Sequence, residues 1–284
     1  MSVDVRPANA RPVLPRLVVT DLDGTFLSPD GSVSAANSAA VLAAQEAGLP
    51  VVFATGRPVR WLDVVQDLPG AHPTVIASNG AVLYDLGARQ ILDRICIDPR
   101  VALAAIAEVR ASVPGTSFGF ESGTRFAYEP GYRIWAVVDG SDPALVRGPA
   151  ESVAHQEPFV KLLVQNRGVP PDELAAQVRA VVRDTLTVTH SAAGDHGLVE
   201  VSAPGVSKAS MLQRLCDHLG VDAGEVAAFG DMPNDLEMLG WAGLPHVMAN
   251  AHPQLLELGY PVVPTNVDSG VGRTIERFLS LTAD

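Results

Sequence analysis

The sequence is poor in cysteine, in basic charge and in aromatic residues, and the first two shortages each exclude a class of protein. Its 284 residues include two cysteines, too few for a disulfide-rich scaffold or a cysteine-based zinc site. Twenty basic against 32 acidic residues give a formal net charge of −12, which argues against general nucleic-acid binding because that needs a basic surface. Aromatic residues make up only 5 %, yet apolar residues reach 47 %, so the chain is not a disordered one.

Long apolar runs are also missing. No stretch of about 18 uninterrupted apolar residues occurs, which argues against a membrane span. Residues 1–16 contain arginines and prolines but no apolar segment, so we expect a loose tail and not a signal peptide. We therefore expect a cytoplasmic protein whose two thiols, Cys96 and Cys216, are reduced.

The length suggests about two domains. Short apolar runs typical of buried strands alternate with helical patterns at the start of the chain and again after residue 206. Such alternation predicts an α/β fold with a parallel sheet covered on both faces. The strands are predicted at residues 17–20, 49–55, 74–78, 226–229 and 244–248, and the helices at 35–47, 58–68, 206–219, 236–240 and 271–281.

The middle of the chain has a different rhythm. Short β-like pieces separated by glycines, together with a few helices, indicate an α+β block of mostly antiparallel strands. We predict that this block is a second domain inserted into the first. The predicted division is a tail at residues 1–16, a core domain at 17–85 and 204–284, and an inserted domain at 86–203.

Short polar motifs follow four of the predicted strands. They are DLDGT at residues 21–25, TGR at 55–57, SNG at 78–80, and GD at 230–231 with ND at 234–235. Ligands bind at the carboxyl ends of strands in open α/β sheets, and parallel pairing would bring these motifs to one edge. Carboxylates gathered there repel each other, and Mg²⁺ relieves such repulsion because it binds carboxylates together with substrate phosphate.

Three of these motifs, together with a fourth that contains Lys208, resemble in order those of the haloacid dehalogenase superfamily, and within it the Cof-type phosphatases. They are DLDGT, TGR, Lys208 within GVSK at residues 205–208, and GD with the following ND. One motif alone is weak, whereas four in order, each at the end of a predicted strand or start of a helix, are specific. The resemblance covers nearly all of the chain after the tail. It implies a Rossmann-like core with an inserted α+β cap that closes over the site.

The resemblance also implies a Mg²⁺-dependent phosphatase that hydrolyses small phosphomonoesters, such as sugar phosphates, through an aspartyl-phosphate intermediate. Asp21 would attack phosphorus, Asp23 would act as general acid and base, and Lys208 would stabilise charge. The residues expected to bind phosphate are Thr55, Gly56, Arg57, Lys208 and Asn234. The residues expected to hold the metal are Asp21, Asp23 through its backbone carbonyl, Asp231 and Asp235.

Some of these residues also have an ordinary structural explanation. Asp235 would orient the metal ligands or Lys208, or it would only cap the next helix. Arg57 would contact substrate or pair with a carboxylate. Five residues of the inserted domain fit a substrate pocket and a small local core equally well: Arg125, Tyr128, Tyr132, Trp135 and Lys161.

Two other functions stay open at this point. A phosphomutase or phosphotransferase would share the aspartyl-phosphate step but pass the phosphoryl group to an acceptor other than water. A non-catalytic sensor of a phosphorylated ligand would keep the fold, although the intact set of motif residues argues against it. The expected partner is a small phosphorylated metabolite, with no nucleic acid and no membrane, and the oligomeric state is left open.

Overall fold

The computed structural model describes residues 14–134, 144–191 and 197–282. Within these ranges the strands form two sheets, one of eight strands and one of six. Of the predicted tail only residues 14–16 are described, and the Arg16 guanidinium lies 3.1 Å from the Glu225 carboxylate. The strands in chain order are β1 (Leu17–Thr20), β2 (Val51–Ala54), β3 (Ala71–Ala77), β4 (Val82–Asp85), β5 (Gln90–Arg94), β6 (Ser117–Glu121), β7 (Phe126–Tyr128), β8 (Leu145–Arg147), β9 (Lys161–Asn166), β10 (Thr187–Thr189), β11 (Gly197–Ser202), β12 (Val226–Gly230), β13 (Leu244–Met248) and β14 (Val262–Val263).

The eight-stranded sheet joins the two ends of the chain. Its order is β14-β13-β12-β1-β2-β3-β4-β5, so β1 lies between strands from opposite ends of the sequence. Leu17 pairs with Val226 on one side and Val18 with Val51 on the other, both in parallel register. Every residue of β1, β2 and β12 is buried, as expected for parallel strands covered on both faces. The predicted α/β class with a parallel sheet is confirmed.

The helices begin and end close to the predicted positions, except in the segment that follows Arg57. None of the described helices has the length and hydropathy that a membrane span requires. The described helices are α1 (Ala35–Glu46), α2 (Asp63–Gln66), α3 (Pro99–Ser112), α4 (Ala150–Val153), α5 (Pro171–Val182), α6 (Lys208–Leu219), α7 (Leu236–Trp241), α8 (Pro253–Leu256) and α9 (Gly270–Thr282).

The predicted helix at residues 58–68 is wrong. The structure has a 3₁₀ turn at Val59–Trp61 followed by the single turn of α2. The Arg57 guanidinium donates to the Trp61 carbonyl at 3.3 Å, which occupies a carbonyl that a continuous helix would use. β-Branched residues around this point add little helical preference to oppose that contact.

The six-stranded sheet comes from the middle of the chain. Its order is β10-β11-β9-β6-β7-β8, and all neighbours are antiparallel except β7 and β8. The strand β5 falls within residues 86–203 but pairs with β4, because the two form a hairpin at the edge of the eight-stranded sheet. The eight-stranded sheet therefore extends past residue 85 to Arg94. The division into a core and an inserted domain stays a prediction.

One buried amide joins α1 to the turn that follows β1 and to α9. Asn37 Nδ2 donates to the Phe26 carbonyl at 2.7 Å, and Asn37 Oδ1 accepts from the Gly272 N–H at 2.9 Å. Gly272 lies in the first turn of α9, where an N–H has no helical acceptor. Asn37 thus holds α1, α9 and the segment after β1 in one arrangement.

We expect Asn37→Leu to lower the free energy of unfolding by about 2–5 kcal/mol, because it leaves two buried backbone groups without partners. The matched control is Gln45→Leu at an exposed position of the same helix, which should change the value by no more than about 0.5 kcal/mol. Urea denaturation of both variants measures the difference. Equal stabilities would contradict the linking role of Asn37.

Candidate active site

The carboxyl end of β1 leads directly into Asp21, whose side chain is buried. The Asp21 N–H continues the parallel pairing by donating to the Phe229 carbonyl at 3.0 Å. The chain then turns through Gly24, whose φ of +80° is one that other residues rarely adopt. A Cβ at Gly24 would lie 2.2 Å from Asp231 Oδ2. The turn therefore passes Asp231 at a distance that leaves no room for a side chain.

The amine of Lys208 is buried between two carboxylates. Lys208 Nζ lies 2.5 Å from Asp21 Oδ1 and 2.7 Å from Asp235 Oδ1. Lys208 is the first residue of α6, which begins at a capping box formed by Ser207 and Ser210. Burial alone would lower the pKa of the Lys208 amine, but Asp21 and Asp235 raise it above its ordinary value. The amine is therefore a permanent positive charge.

Asp21, Asp231 and Asp235 form a buried acidic cluster in which each offers an oxygen within 4.8 Å of the others. Burial raises the pKa of Asp21 well above its ordinary value. The charge of Lys208 lowers this pKa in part, and the charge of Asp235 raises it further. Burial, followed by the charge of Asp235, raises the pKa of Asp231 to about 7. One amine does not balance three carboxylates, and hard oxygen donors this close together suit a divalent cation. The residues of the cluster fit Mg²⁺.

Asp235 holds the cluster together at both of its carboxylate oxygens. Oδ1 accepts from Lys208, and Oδ2 accepts the backbone N–H groups of Asp231 at 3.0 Å and Met232 at 3.1 Å. Asp235 therefore orients Lys208 and fixes the turn that carries Asp231, and its side chain makes no capping hydrogen bond to α7. The Thr25 hydroxyl donates to Asp231 Oδ1 at 2.6 Å, a contact that the sequence did not predict.

The Asp23 carboxylate lies outside this acidic cluster. It accepts from Arg57 Nε at 2.7 Å and from Arg57 Nη2 at 2.6 Å, and more than half of it is exposed. A two-point contact of this kind orients a carboxylate more strictly than a single bond. Of the two alternatives for Arg57, this contact shows the pairing with a carboxylate, and contact with substrate stays a prediction. The expected metal contact of Asp23 is left to its backbone carbonyl.

Two loops at the ends of β2 and β3 supply polar groups next to the cluster. Thr55 Oγ accepts the Arg57 N–H at 3.1 Å, so its hydroxyl proton is available for a ligand. Ser78 and Asn79 both have positive φ, a costly conformation that tends to occur at functional sites. Asn79 Oδ1 accepts from Asn234 Nδ2 at 3.0 Å. Among the described residues, Asn234 Oδ1 and Ser78 Oγ are buried without a partner.

Two charged residues of the six-stranded sheet contact these loops. Lys161 Nζ donates to the Gly56 carbonyl at 2.8 Å and lies 2.5 Å from Glu200 Oε1. Glu200 Oε2 accepts from Asn79 Nδ2 and from the Ser191 hydroxyl, both at 3.0 Å. Burial raises the pKa of Glu200, but Lys161 and these hydrogen bonds outweigh it and lower the pKa below its ordinary value. The sequence left Lys161 undecided and gave no prediction for Glu200, although a charge within an apolar strand was a usable signal.

A cavity of about 760 Å³ lies between the two sheets and reaches Asp21, Asp23, Gly56 and Arg57. Its size falls within the range of about 300–1,000 Å³ that is common for small-molecule sites. Tyr128, one candidate pocket residue, stacks on Phe126 and does not line this cavity. Of the other candidates, Tyr132 and Lys161 line the cavity and Arg125 does not, whereas Trp135 lies outside the described residues.

Buried carboxylates at the carboxyl ends of parallel strands, with a cavity that reaches them, define an α/β enzyme that acts on a small ligand at its sheet edge. The chain belongs to the haloacid dehalogenase-like hydrolases, a family that matches residues 18–275. The resemblance found in the sequence is thus confirmed.

Relatives of known activity agree with this assignment. The chain is 28 % identical over 265 residues to the phosphoglycolate phosphatase of Methanothermobacter thermautotrophicus, covering 93 % of this chain and 99 % of the relative. It is 29 % identical over 248 residues to the HMP-PP phosphatase of Cronobacter sakazakii, covering 85 % and 86 %. The solved subclass IIB sugar phosphatase BT4131 shares the fold, with a TM-score of 0.75 at 19 % identity over 92 % of this chain and 98 % of that chain. The protein is a phosphoric monoester hydrolase.

We expect Gly24→Ala to lower kcat/KM by at least about 100-fold, because the new methyl group displaces Asp231 and misplacing a reacting group by about 1 Å costs that much. The matched control is Gly31→Ala. Gly31 has a φ of +81°, and no atom lies within 4 Å of the place that an added Cβ would take, so this variant carries the same backbone strain without the clash. Retained activity in Gly24→Ala, or an equal loss in Gly31→Ala, would show that the close approach to Asp231 is not what matters.

Proposed function

We propose that this protein is a Mg²⁺-dependent phosphatase that hydrolyses small phosphomonoesters, such as sugar phosphates or similar metabolites, through an aspartyl-phosphate intermediate on Asp21. The observation that carries the proposal is the contact of Asp21 with Lys208 inside an acidic cluster at the edge of the cavity. The names of the relatives, which are phosphatases of small phosphorylated compounds, support the same substrate class.

In the first step, a carboxylate oxygen of Asp21 attacks phosphorus while the bond from phosphorus to the leaving oxygen breaks. Protonated Asp23 gives its proton to that oxygen, so the leaving group departs as an alcohol. In the second step, Asp23 takes a proton from water as the water attacks the phosphorus of the aspartyl-phosphate. Inorganic phosphate leaves, and both carboxyl groups return to their starting states. Arg57 sets the direction of Asp23 in both steps.

The transferred group is held mainly by fixed donors. The Thr55 hydroxyl, the Gly56 N–H and the Asn234 amide hold phosphoryl oxygens, and the Lys208 amine offsets their negative charge. Such preorganised charge is the main source of catalysis in phosphoryl transfer.

Mg²⁺ would be held by the carboxylates of Asp21 and Asp231 and by the backbone carbonyl of Asp23, with Asp235 fixing Asp231 from behind. When bound, it offsets the charge of the phosphoryl group and of the acidic cluster. In this proposal residues 17–85 and 204–284 are the core, and residues 86–203 are a cap that excludes bulk water from the site. The two cysteines are unpaired thiols, which suits our proposal of a cytoplasmic enzyme.

Substitution of the proposed nucleophile tests the covalent step. We expect Asp21→Asn to abolish turnover of p-nitrophenyl phosphate and to carry no acid-stable label after quenching with ³²P-labelled substrate. Asp23→Asn should instead accumulate labelled protein, because a good leaving group needs no proton but the attacking water still needs a base. The matched control is Asp217→Asn, an exposed aspartate on α6, which should keep its activity. Label on Asp21→Asn would remove this residue as the nucleophile.

Product analysis tests the reaction type. Free phosphate released in equal amount to the alcohol product is the expected result for hydrolysis. Transfer of the phosphoryl group to a second sugar would identify a phosphotransferase instead.

Removal of the metal tests the role of the acidic cluster. We expect EDTA to abolish activity and Mg²⁺ to restore it. Mg²⁺ should also raise the melting temperature, because a ligand at about 100 times its Kd stabilises a protein by about 2.7 kcal/mol. Asp231→Asn should lose this thermal shift, whereas Asp217→Asn should keep it. Activity and stability that ignore both EDTA and Mg²⁺ would contradict the metal site.

A further inference from the structure

The charged residues that line the cavity are already paired with one another. Three cations line it in the described parts of the chain, and each contacts a carboxylate that lines it too. The pairs are Arg57 with Asp23 at 2.6 Å, Arg60 with Glu121 at 2.5 Å, and Lys161 with Glu200 at 2.5 Å. The fourth lining carboxylate, Asp21, contacts Lys208.

Two of these pairs are hard to open. The carboxylates of Glu121 and Glu200 and the amine of Lys161 are almost fully buried, and opening such a pair leaves an uncompensated buried charge. Glu121 also accepts from the Gly123 N–H at 2.8 Å, and Lys161 is held by the Gly56 carbonyl. A second anionic group on the substrate would therefore meet no unpaired cation among the described lining residues.

The remaining walls of the cavity are mostly apolar and partly aromatic, with Thr124, Ser191 and Asn234 as polar exceptions. The sequence is only 5 % aromatic, yet Trp61, Phe126 and Tyr132 all line this cavity. Phe126 and Tyr132 pack with ring centroids 5.5 Å apart, and the Arg60 guanidinium lies 5.3 Å from the Trp61 ring. Leu163 and Leu198 of the six-stranded sheet extend the apolar surface. Such walls favour a ring over an open polyol chain, because they offer apolar contact and few unused hydrogen-bonding groups.

From this arrangement, and resting on the function proposed above, we infer that the preferred substrates are monophosphate esters whose leaving group is uncharged and carries an apolar or aromatic ring. Leaving groups with a second anion, such as a carboxylate, are discriminated against. The phosphoglycolate named for one relative belongs to the disfavoured class.

Matched substrates separate the two parts of this inference. Uridine 5′-monophosphate and orotidine 5′-monophosphate differ by one ring carboxylate, and benzyl phosphate and its para-carboxylate form a second such pair. Ribose 5-phosphate lacks the uracil base of uridine 5′-monophosphate. We expect the added carboxylate to lower kcat/KM by at least about tenfold in both pairs, because it loses hydration without meeting an unpaired cation. We expect loss of the uracil base to lower kcat/KM by at least about tenfold as well.

Two variants test which residues are responsible. Glu121→Gln keeps the shape and one oxygen acceptor but leaves Arg60 without a charged partner, so the carboxylate penalty should shrink by about tenfold. The matched control is Glu157→Gln, because Glu157 pairs with Arg125 at 3.7 Å and does not line the cavity. Trp61→Ala, at a half-exposed position, should reduce the preference for uridine 5′-monophosphate over ribose 5-phosphate. Ratios measured by competition do not depend on how much of each variant is folded.

The outcomes are distinct. Carboxylated substrates that match or exceed their neutral partners would overturn the charge argument, as would a carboxylate penalty in Glu121→Gln equal to that in Glu157→Gln. Ribose 5-phosphate as good a substrate as uridine 5′-monophosphate would overturn the ring argument. Failure to release phosphate from any of these substrates or from p-nitrophenyl phosphate, with Mg²⁺ present, would overturn the proposed function itself. Phosphate release with the wrong ratios would overturn only this inference.

Discussion

The contact of the Lys208 amine with Asp21 and Asp235 is the interaction on which the rest of the site depends. It joins residues 187 positions apart in the chain, and it fixes the start of α6 against the ends of β1 and β12. The amine remains charged because the two carboxylates outweigh the effect of burial on its pKa. Since Asp231 is buried beside them, the negative charge still exceeds the positive. This surplus is the physical reason why a divalent cation belongs in the cluster.

Buried charge serves opposite purposes in the two parts of the cavity. At the edge of the eight-stranded sheet the charges are unbalanced, which attracts a cation and through it a phosphoryl group. On the side of the six-stranded sheet, Lys161 with Glu200 and Arg60 with Glu121 cancel each other. In the mechanism that we propose, binding of the phosphoryl group and selection of the leaving group depend on different charges, so one can change without the other.

Sequence patterns were sufficient for the central strands of the eight-stranded sheet because these strands are buried on both faces. Continuous apolar runs such as Leu17–Thr20 are unambiguous in that setting, and the rule that ligands bind at carboxyl strand ends gathered Asp21, Thr55 and Asp231 into one site. The helix predicted at residues 58–68 failed because a side-chain contact from Arg57 to the Trp61 carbonyl decides that segment. Contacts of this kind have no periodic signal in the sequence.

The partners of buried charges were also beyond prediction, for a related reason. A lone charge within an apolar strand, such as Lys161 or Glu200, indicates that a partner exists, because an unpaired charge in that position is too costly. It does not say which residue is the partner. The pairing depends on the register of β9 with β11, which sets Lys161 opposite Ser202 and Glu200 opposite Leu163. Lys161 and Glu200 also contact Gly56 and Asn79 from the loops of the other sheet, so the neutral wall of the cavity is complete only where the two sheets meet.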